Sequence, residues 1–375
     1  MDNKLHIDKQ NVVDQDLAYI IECLHNEFKS LAGKRLLITG GGGFLGYYLT
    51  QTITYWNRHH DECEAIHLTV YDNYSRGTPA WLQALGEQKK VDLVPHDVRQ
   101  PLPKNLPDFH YIIHAASIAS PTYYRIHPIE TMDANVNGLR HLLEYSLERK
   151  NQTKPVEGFL FFSTSEIYGN PSSKDVPTPE TYCGLVSCTG PRACYDESKR
   201  YGETMCVNFT KEYALPIKTA RPFNNYGPGI KLTDKRVLPD FAQNVLSEQD
   251  IVLLSDGSPT RTFCYVADAV IGYYKILVNG RPGEAYNIGV QNPEISMREL
   301  AERVAKAGRE LFGYTGRVIN KPSDDKAYLI DNPERRCPII TKAREEIGYN
   351  PSISLDDGIR RLLRWYHDHP DGKML

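Results

Sequence analysis

The 375-residue sequence predicts an α/β protein: a doubly wound parallel sheet followed by a smaller lobe. Three observations carry this reading. Short apolar strands alternate with longer amphipathic segments from Arg35 onward. A glycine-rich turn, "TGGGGFLG", joins the first of these strands to the helix after it. Beyond Tyr226 the alternation becomes irregular, and glycine and proline cluster in "YGPGI" and "NGRPGEAYNIG".

Residues 1–33 read as a separate piece. Val13, Leu17, Ile20, Ile21, Leu24, Phe28 and Leu31 recur at helical spacing, and Gly33 suits a helix stop. The spacing predicts one amphipathic helix docked on its own chain or on a second subunit, the former preferred. "RLLIT" (35–39), "IHLTVY" (66–71), "YIIHAA" (111–116), "FLFFSTS" (159–165) and "IKTARP" (217–222) read as buried parallel strands. Residues 44–55, 130–148 and 195–213 read as the helices between them. In the later part, helices are expected at 296–311 and 355–367.

Composition narrows the partners. Hydrophobic residues at 41% and charged residues at 24% are ordinary for a globular chain. A net charge of −3 argues against nucleic acid or an anionic membrane surface, so an anionic ligand must meet a local basic cluster. The eight cysteines show no CxxC spacing, which suits free thiols in a reducing compartment. "MDNKLHIDKQ" has no leader pattern, and no apolar run approaches the ~20 residues of a membrane span. A cytoplasmic protein is expected. The histidines of "RHH" (58–60) and "HDH" (367–369) lack the companion ligands of a metal site, and Cys194 and Cys264 read as packed thiols.

The glycine turn carries the first functional signal. Gly40 suits the tight turn, Gly43 lets a pyrophosphate approach the backbone, and Gly46 lets the helix pack on the strand; Phe44 and Leu45 open that helix. This is the Rossmann-type arrangement for a dinucleotide. Asp72 and Asn73 end the next strand, where a carboxylate can accept from ribose hydroxyls and repel a 2′-phosphate, favouring NAD over NADP. Arg76 lies close enough to accommodate such a phosphate. Asp97 and Val98 follow a third strand within reach of adenine, and Ala115 and Ala116 close the fourth. Residues 34–225, with a return segment near 262–290, are expected to bind the cofactor, and 226–375 the other substrate.

Thr164, Ser165 and Glu166 emerge where the 159–163 strand ends, the edge at which open α/β sheets bind ligands. In "ACYDESKR", Tyr195 and Lys199 share one helix face. The pair is either an exposed accident or a lysine that lowers a phenol's pKa until it can act as a base.

These motifs, with TGxxGFxG matched at Thr39 to Gly46, resemble the extended short-chain dehydrogenase/reductase family of nucleotide-sugar epimerases, dehydratases and decarboxylases. The resemblance runs from Lys34 to Tyr366. Within that family "ASPTYY" (119–124), "STSEIYG" (163–169), "GPRACYDESKRYGETMC" (190–206), "TRTFCYVAD" (260–268) and "NPERRCPIITKA" (332–343) are most similar to the UDP-glucuronate decarboxylase branch.

The resemblance implies NAD as cofactor and a UDP-sugar as substrate. Tyr195 would take the proton of the sugar C4 hydroxyl, Thr164 would hydrogen-bond the same oxygen, and Lys199 would hold the nicotinamide ribose and lower the tyrosine pKa. A hexuronate oxidised at C4 is a β-keto acid, which loses carbon dioxide as its electrons pass into the ketone; protonation at C5 and hydride return then give the pentose. Ser165 stands where family 4,6-dehydratases carry an aspartic acid, which disfavours dehydration. Glu166 would lie near C5, where simple 4-epimerases generally lack a carboxylate, and Arg336 beside the substrate carboxylate. Tyr124 would line the sugar pocket, and Asn224, Arg236 and Arg261 would contact the diphosphate and nucleoside.

Gly229 departs from the arginine usual after "YGP", and "TYCGLVSCT" (181–189) is less typical of the branch. The competing activities are a nucleotide-hexuronate 4-epimerase and then a 4,6-dehydratase. A binding protein that keeps only the cofactor fold is the non-enzymatic alternative. Family members commonly dimerise through a four-helix bundle containing the Tyr-Lys helix, so a homodimer is expected.

Overall fold

The computed structural model describes residues 11–321 and 333–369. Its central sheet contains β1 (Arg35–Thr39), β2 (His67–Asp72), β3 (Asp92–Pro95), β4 (Tyr111–His114), β5 (Gly158–Phe162) and β6 (Ile217–Pro222). The spatial order is β6-β5-β4-β1-β2-β3, the strand Ala285–Ile288 pairs outside β6, and all pairings are parallel. Strand order reverses between β1 and β4, which opens a crevice at the carboxyl ends of the strands. The register aligns those ends, with Thr39 opposite both Tyr71 and His114.

Helices α1 (Val12–Leu31), α2 (Phe44–His59), α3 (Ala80–Glu87), α4 (Pro121–Ile126), α5 (Pro128–Asn151) and α6 (Ala193–Tyr213) precede β6. After it come α7 (Val237–Leu246), α8 (Val266–Asn279), α9 (Met297–Phe312), α10 (Thr341–Ile347) and α11 (Leu355–Asp368). Alternate strand residues feed two cores, as the pleat requires. Leu36, Ile38, Leu160 and Phe162 pack with α1, α2 and α8. Leu37, Phe159 and Phe161 pack with α5 and α6.

Strands at 35–39 and 217–222 have the expected bounds, but the chain leaves β5 sooner than expected. Thr164 Oγ1 accepts from the Glu166 N–H at 3.2 Å and caps a 3-10 turn over Ser165–Tyr168. That cap turns the chain across the sheet edge at the future site. The helix α8 escapes the sequence pattern because it is apolar all round, with Val266, Val270, Tyr273, Tyr274 and Leu277 all buried.

The seven apolar residues that predict α1 are all buried, and the helix docks on its own chain. Its Asp16 is also buried: the carboxylate accepts from Tyr48 Oη at 2.7 Å, from Tyr265 Oη at 2.6 Å and from Arg361. One carboxylate thus ties α1 to α2, to the segment entering α8 and to α11. Among the described residues no helix is long and apolar enough to cross a membrane.

Candidate active site

Gly40 adopts φ +76°, and a Cβ there would lie 2.6 Å from the Ala116 Cα. A Cβ on Gly46 would lie 2.5 Å from the Gly41 carbonyl oxygen, so only glycine lets α2 start this close to the turn. Asp72 is pinned behind the loop, Oδ2 accepting from Gly42 N–H at 2.9 Å and Oδ1 from Tyr74 N–H at 2.8 Å. The bare glycine backbone at a helix N-terminus and this fixed carboxylate fit a dinucleotide's pyrophosphate and ribose.

These groups line a cavity of about 1090 Å³ at the carboxyl ends of the strands. It also holds Phe44, Leu45, Asn73, Arg76, Asp97, Val98, Ala115, Thr164, Ser165, Glu166, Tyr195, Lys199 and Arg336. Tyr124, Asn224, Arg236 and Arg261 complete its wall. Glu166 and Arg336, 170 positions apart in sequence, therefore meet in one site.

Tyr195 is buried, its phenol hydrogen-bonded to Thr164 and its ring stacked on Tyr124 at 5.0 Å and 7°. Lys199 is buried beneath it, donating to the Phe162 carbonyl at 2.8 Å with Nζ 5.9 Å from the Tyr195 ring centroid. The expected lowering of the phenol pKa is not found. Burial pushes Tyr195 up to about 12, and the Thr164 hydrogen bond only moderates this. Burial also brings Lys199 down to about 7, so the group meant to supply the positive field is itself only partly charged at neutral pH.

Glu166 sits among cations. Its two oxygens accept from the two terminal nitrogens of Arg336, and Arg192 donates to Oε2 as well. Burial alone would raise this carboxyl, but Arg192 and Arg336 hold it well below the usual carboxylate range. Arg192 Nε also lies 3.6 Å from Asp196, whose carboxyl is pushed up to about 7 by burial and by the nearby Glu166 charge. Sequence reasoning gave Arg192 and Asp196 no role. Their only signal was an i,i+4 pair at the start of a helix, which ordinarily marks a solvated face.

Several expected contacts are already committed within the protein. Arg99 grips Asp97 through Nε at 3.0 Å and a terminal nitrogen at 2.6 Å. Arg261 donates to the Thr260 carbonyl at 2.7 Å and the Glu334 carbonyl at 3.1 Å; burial and neighbouring Arg336 bring it down to about 9. Asn224, at φ +42°, donates to the Thr262 carbonyl at 2.9 Å, and Arg236 reaches the Ala119 carbonyl at 3.5 Å. Gly229 adopts φ +94° with its Cβ direction 2.8 Å from the Tyr47 ring, so the arginine usual in the resembling branch would need a strained backbone and a shift of Tyr47.

Residues 36–289 match the family described as NAD dependent epimerase/dehydratase. The chain is 34% identical over 339 residues to UDP-glucuronic acid decarboxylase 5 of Arabidopsis thaliana, covering 90% of each chain. It is 33% identical over 336 residues to UDP-glucuronic acid decarboxylase 1 of Xenopus tropicalis, covering 89% of this chain and 72% of that one. In fold it resembles UDP-glucose 4-epimerase of Thermotoga maritima, with TM-score 0.73 and 23% identity over 90% of this chain and all of that one. It also resembles UDP-glucuronic acid 4-epimerase of Bacillus cereus, with TM-score 0.70 and 23% identity over 89% of this chain and 98% of that one. The family match spans the glycine turn, the fixed acid of β2 and the Thr-Tyr-Lys set, and the chain belongs to the NAD-dependent epimerase/dehydratase family.

Proposed function

We propose that the chain decarboxylates UDP-glucuronate to UDP-xylose. The observation that carries this reading is the Glu166–Arg336–Arg192 cluster, a carboxylate-binding fork set beside Tyr195 and Thr164 in the same cavity. The decarboxylase relatives at 31–35% identity support it.

NAD, held by the glycine turn and Asp72, supplies the hydride acceptor and donor for sugar C4. Tyr195 takes the C4 hydroxyl proton, and Thr164 orients the same oxygen. Arg336, with Arg192 beside it, receives the substrate carboxylate in the place where Glu166 now sits; the planar fork suits bidentate binding. Loss of carbon dioxide sends electrons into the C4 ketone as an enolate, a proton from solvent adds at C5, and once hydride has returned to C4 Tyr195 gives its proton back to the C4 oxygen. Ser165 has no acidic proton for a leaving hydroxyl at C6, which sets the chain apart from a dehydratase. Tyr124, Asn224, Arg236 and Arg261 hold the sugar diphosphate and nucleoside.

In this reading residues 34–225, with a return segment near 262–290, bind the cofactor and 226–375 bind the nucleotide sugar, while α1 is a docked extension and residues 1–10 of the expected N-terminal piece lie outside the described residues. The protein works in the cytoplasm as a homodimer joined through α5 and α6. Eight free thiols and the half-exposed Tyr201 on α6 support that assignment. The test is a mass spectrum of the sugar nucleotide after incubation with UDP-glucuronate and NAD. Loss of one carbon dioxide is expected. An isomer of unchanged mass would assign the chain to the 4-epimerases instead.

A further inference from the structure

The ribose corner of the cavity holds two charges of opposite sign from the same loop. Asp72 is fixed at the end of β2, and Arg76 follows four residues later. In a dinucleotide fold these charges pull in opposite directions: the carboxylate accepts from ribose hydroxyls, whereas an arginine there accommodates a 2′-phosphate. The outcome depends on what else engages the arginine.

Arg76 is engaged from across the cleft. One of its terminal nitrogens lies 2.6 Å from Asp234 Oδ1. The approach is off the hydrogen-bonding direction, so the contact is chiefly ionic. The guanidinium lies over the Tyr123 ring at 5.0 Å from its centroid. Lys231 reaches the Arg76 carbonyl at 3.4 Å. Asp234 is held in turn, its backbone carbonyl accepting from Ser120 Oγ at 3.2 Å, and its side chain is only 10% exposed against 45% for Arg76. Both side chains face the same cavity as Asp72.

The charge balance at the ribose follows. With Asp234 paired to Arg76, the guanidinium charge is cancelled by its partner and does not offset Asp72, which repels an added phosphate; Lys231, on the Arg76 carbonyl, remains in this corner as a cation in either case. Without the Asp234 charge, Arg76 offsets Asp72 and becomes available as a phosphate ligand. We propose that Asp234 is a specificity-determining residue: by holding Arg76 against Tyr123 it withholds the guanidinium from a 2′-phosphate and sets the preference for NAD over NADP. This inference rests on the dinucleotide reading of the site.

The experiment is calorimetric titration of NAD and NADP into the full-length chain stripped of nucleotide, as wild type, Asp234→Asn, Arg76→Ala and the double variant. Asp234→Asn should strengthen NADP binding by about tenfold while NAD stays within about threefold. The gain should shrink at high ionic strength and vanish in the double variant. Arg76→Ala alone should leave the NAD-to-NADP ratio near that of the wild type, because the arginine is already sequestered. Wild type that binds NAD, with an unchanged ratio in Asp234→Asn, overturns this inference alone. So does Arg76→Ala weakening NADP much more than NAD, whether or not Asp234→Asn folds. Wild type that binds neither nucleotide overturns the dinucleotide reading and this inference with it.

Discussion

Glu166 fills the Arg336 fork, one carboxylate oxygen on each terminal nitrogen. A substrate carboxylate seeking that fork must displace a carboxylate of the protein. This competition keeps ground-state binding weak, and weak binding suits a group that must leave as neutral carbon dioxide. Glu166→Gln should therefore tighten UDP-glucuronate binding by about tenfold while slowing decarboxylation by about a hundredfold. Arg336→Ala should weaken both. Calorimetry paired with product mass spectra checks the two signs; weaker substrate binding in Glu166→Gln would mean that Glu166 contacts the sugar instead.

Tyr195 should titrate as a poor acid in the nucleotide-free protein. Its pKa is pushed up to about 12 by burial, with the Thr164 hydrogen bond acting in the opposite direction. The difference in tyrosinate absorbance between wild type and Tyr195→Phe should appear only near that pH. A cation placed beside the phenol favours its ionised form, so adding NAD should move the transition downward. A transition near neutral pH without nucleotide would show that the protein alone activates the base.

The glycine turn and the Tyr-Lys pair were legible because each is local: a strand, a turn and one helix face fix the geometry within ten residues or so. The charges around Glu166 were not. Arg192 lies 26 positions away and Arg336 170, and no periodicity links such segments before the sheet brings them together. The same holds for Arg76 and Asp234, which come from opposite walls of the cleft. The depth of Tyr195 was not legible either, because a motif names the neighbours of a phenol without saying how deeply it is buried.

Gly229 should resist restoration of the arginine usual after "YGP". The residue sits at φ +94°, and a Cβ would crowd the Tyr47 ring. Gly229→Arg should cost about 1–2 kcal/mol from the backbone alone, with displacement of Tyr47 added. Thermal denaturation should show a lower midpoint. Unchanged stability would mean that the loop and Tyr47 move apart freely.

Asp16 should be among the costliest single positions outside the cavity. Asp16→Ala leaves two buried phenols and Arg361 without their shared acceptor, at a cost of about 3–5 kcal/mol. Urea unfolding measures it. A cost under about 1 kcal/mol would place the stability of α1 in its apolar face alone.

Lys199 should give apo stability a pH dependence with a definite sign. Its folded pKa is brought down by burial to about 7, against 10.5 for the ordinary side chain. Between those values the unfolded chain holds a proton that the folded chain lacks, so the Lys199 contribution to stability rises with pH through that window. Below about 7 both states are protonated, and the full cost of burying the charge is present. Lys199→Met should therefore be stabilised most relative to wild type near pH 6, and the advantage should shrink toward pH 10.5, by a total on the order of 5 kcal/mol. The unpaired Phe162 carbonyl in the variant lowers both ends of that curve equally and leaves the slope intact. Denaturant unfolding of the nucleotide-free proteins across this range reads the slope directly. A difference that stays flat with pH would mean that Lys199 keeps its proton in the folded chain, and that the positive field beneath Tyr195 is present before any cofactor binds.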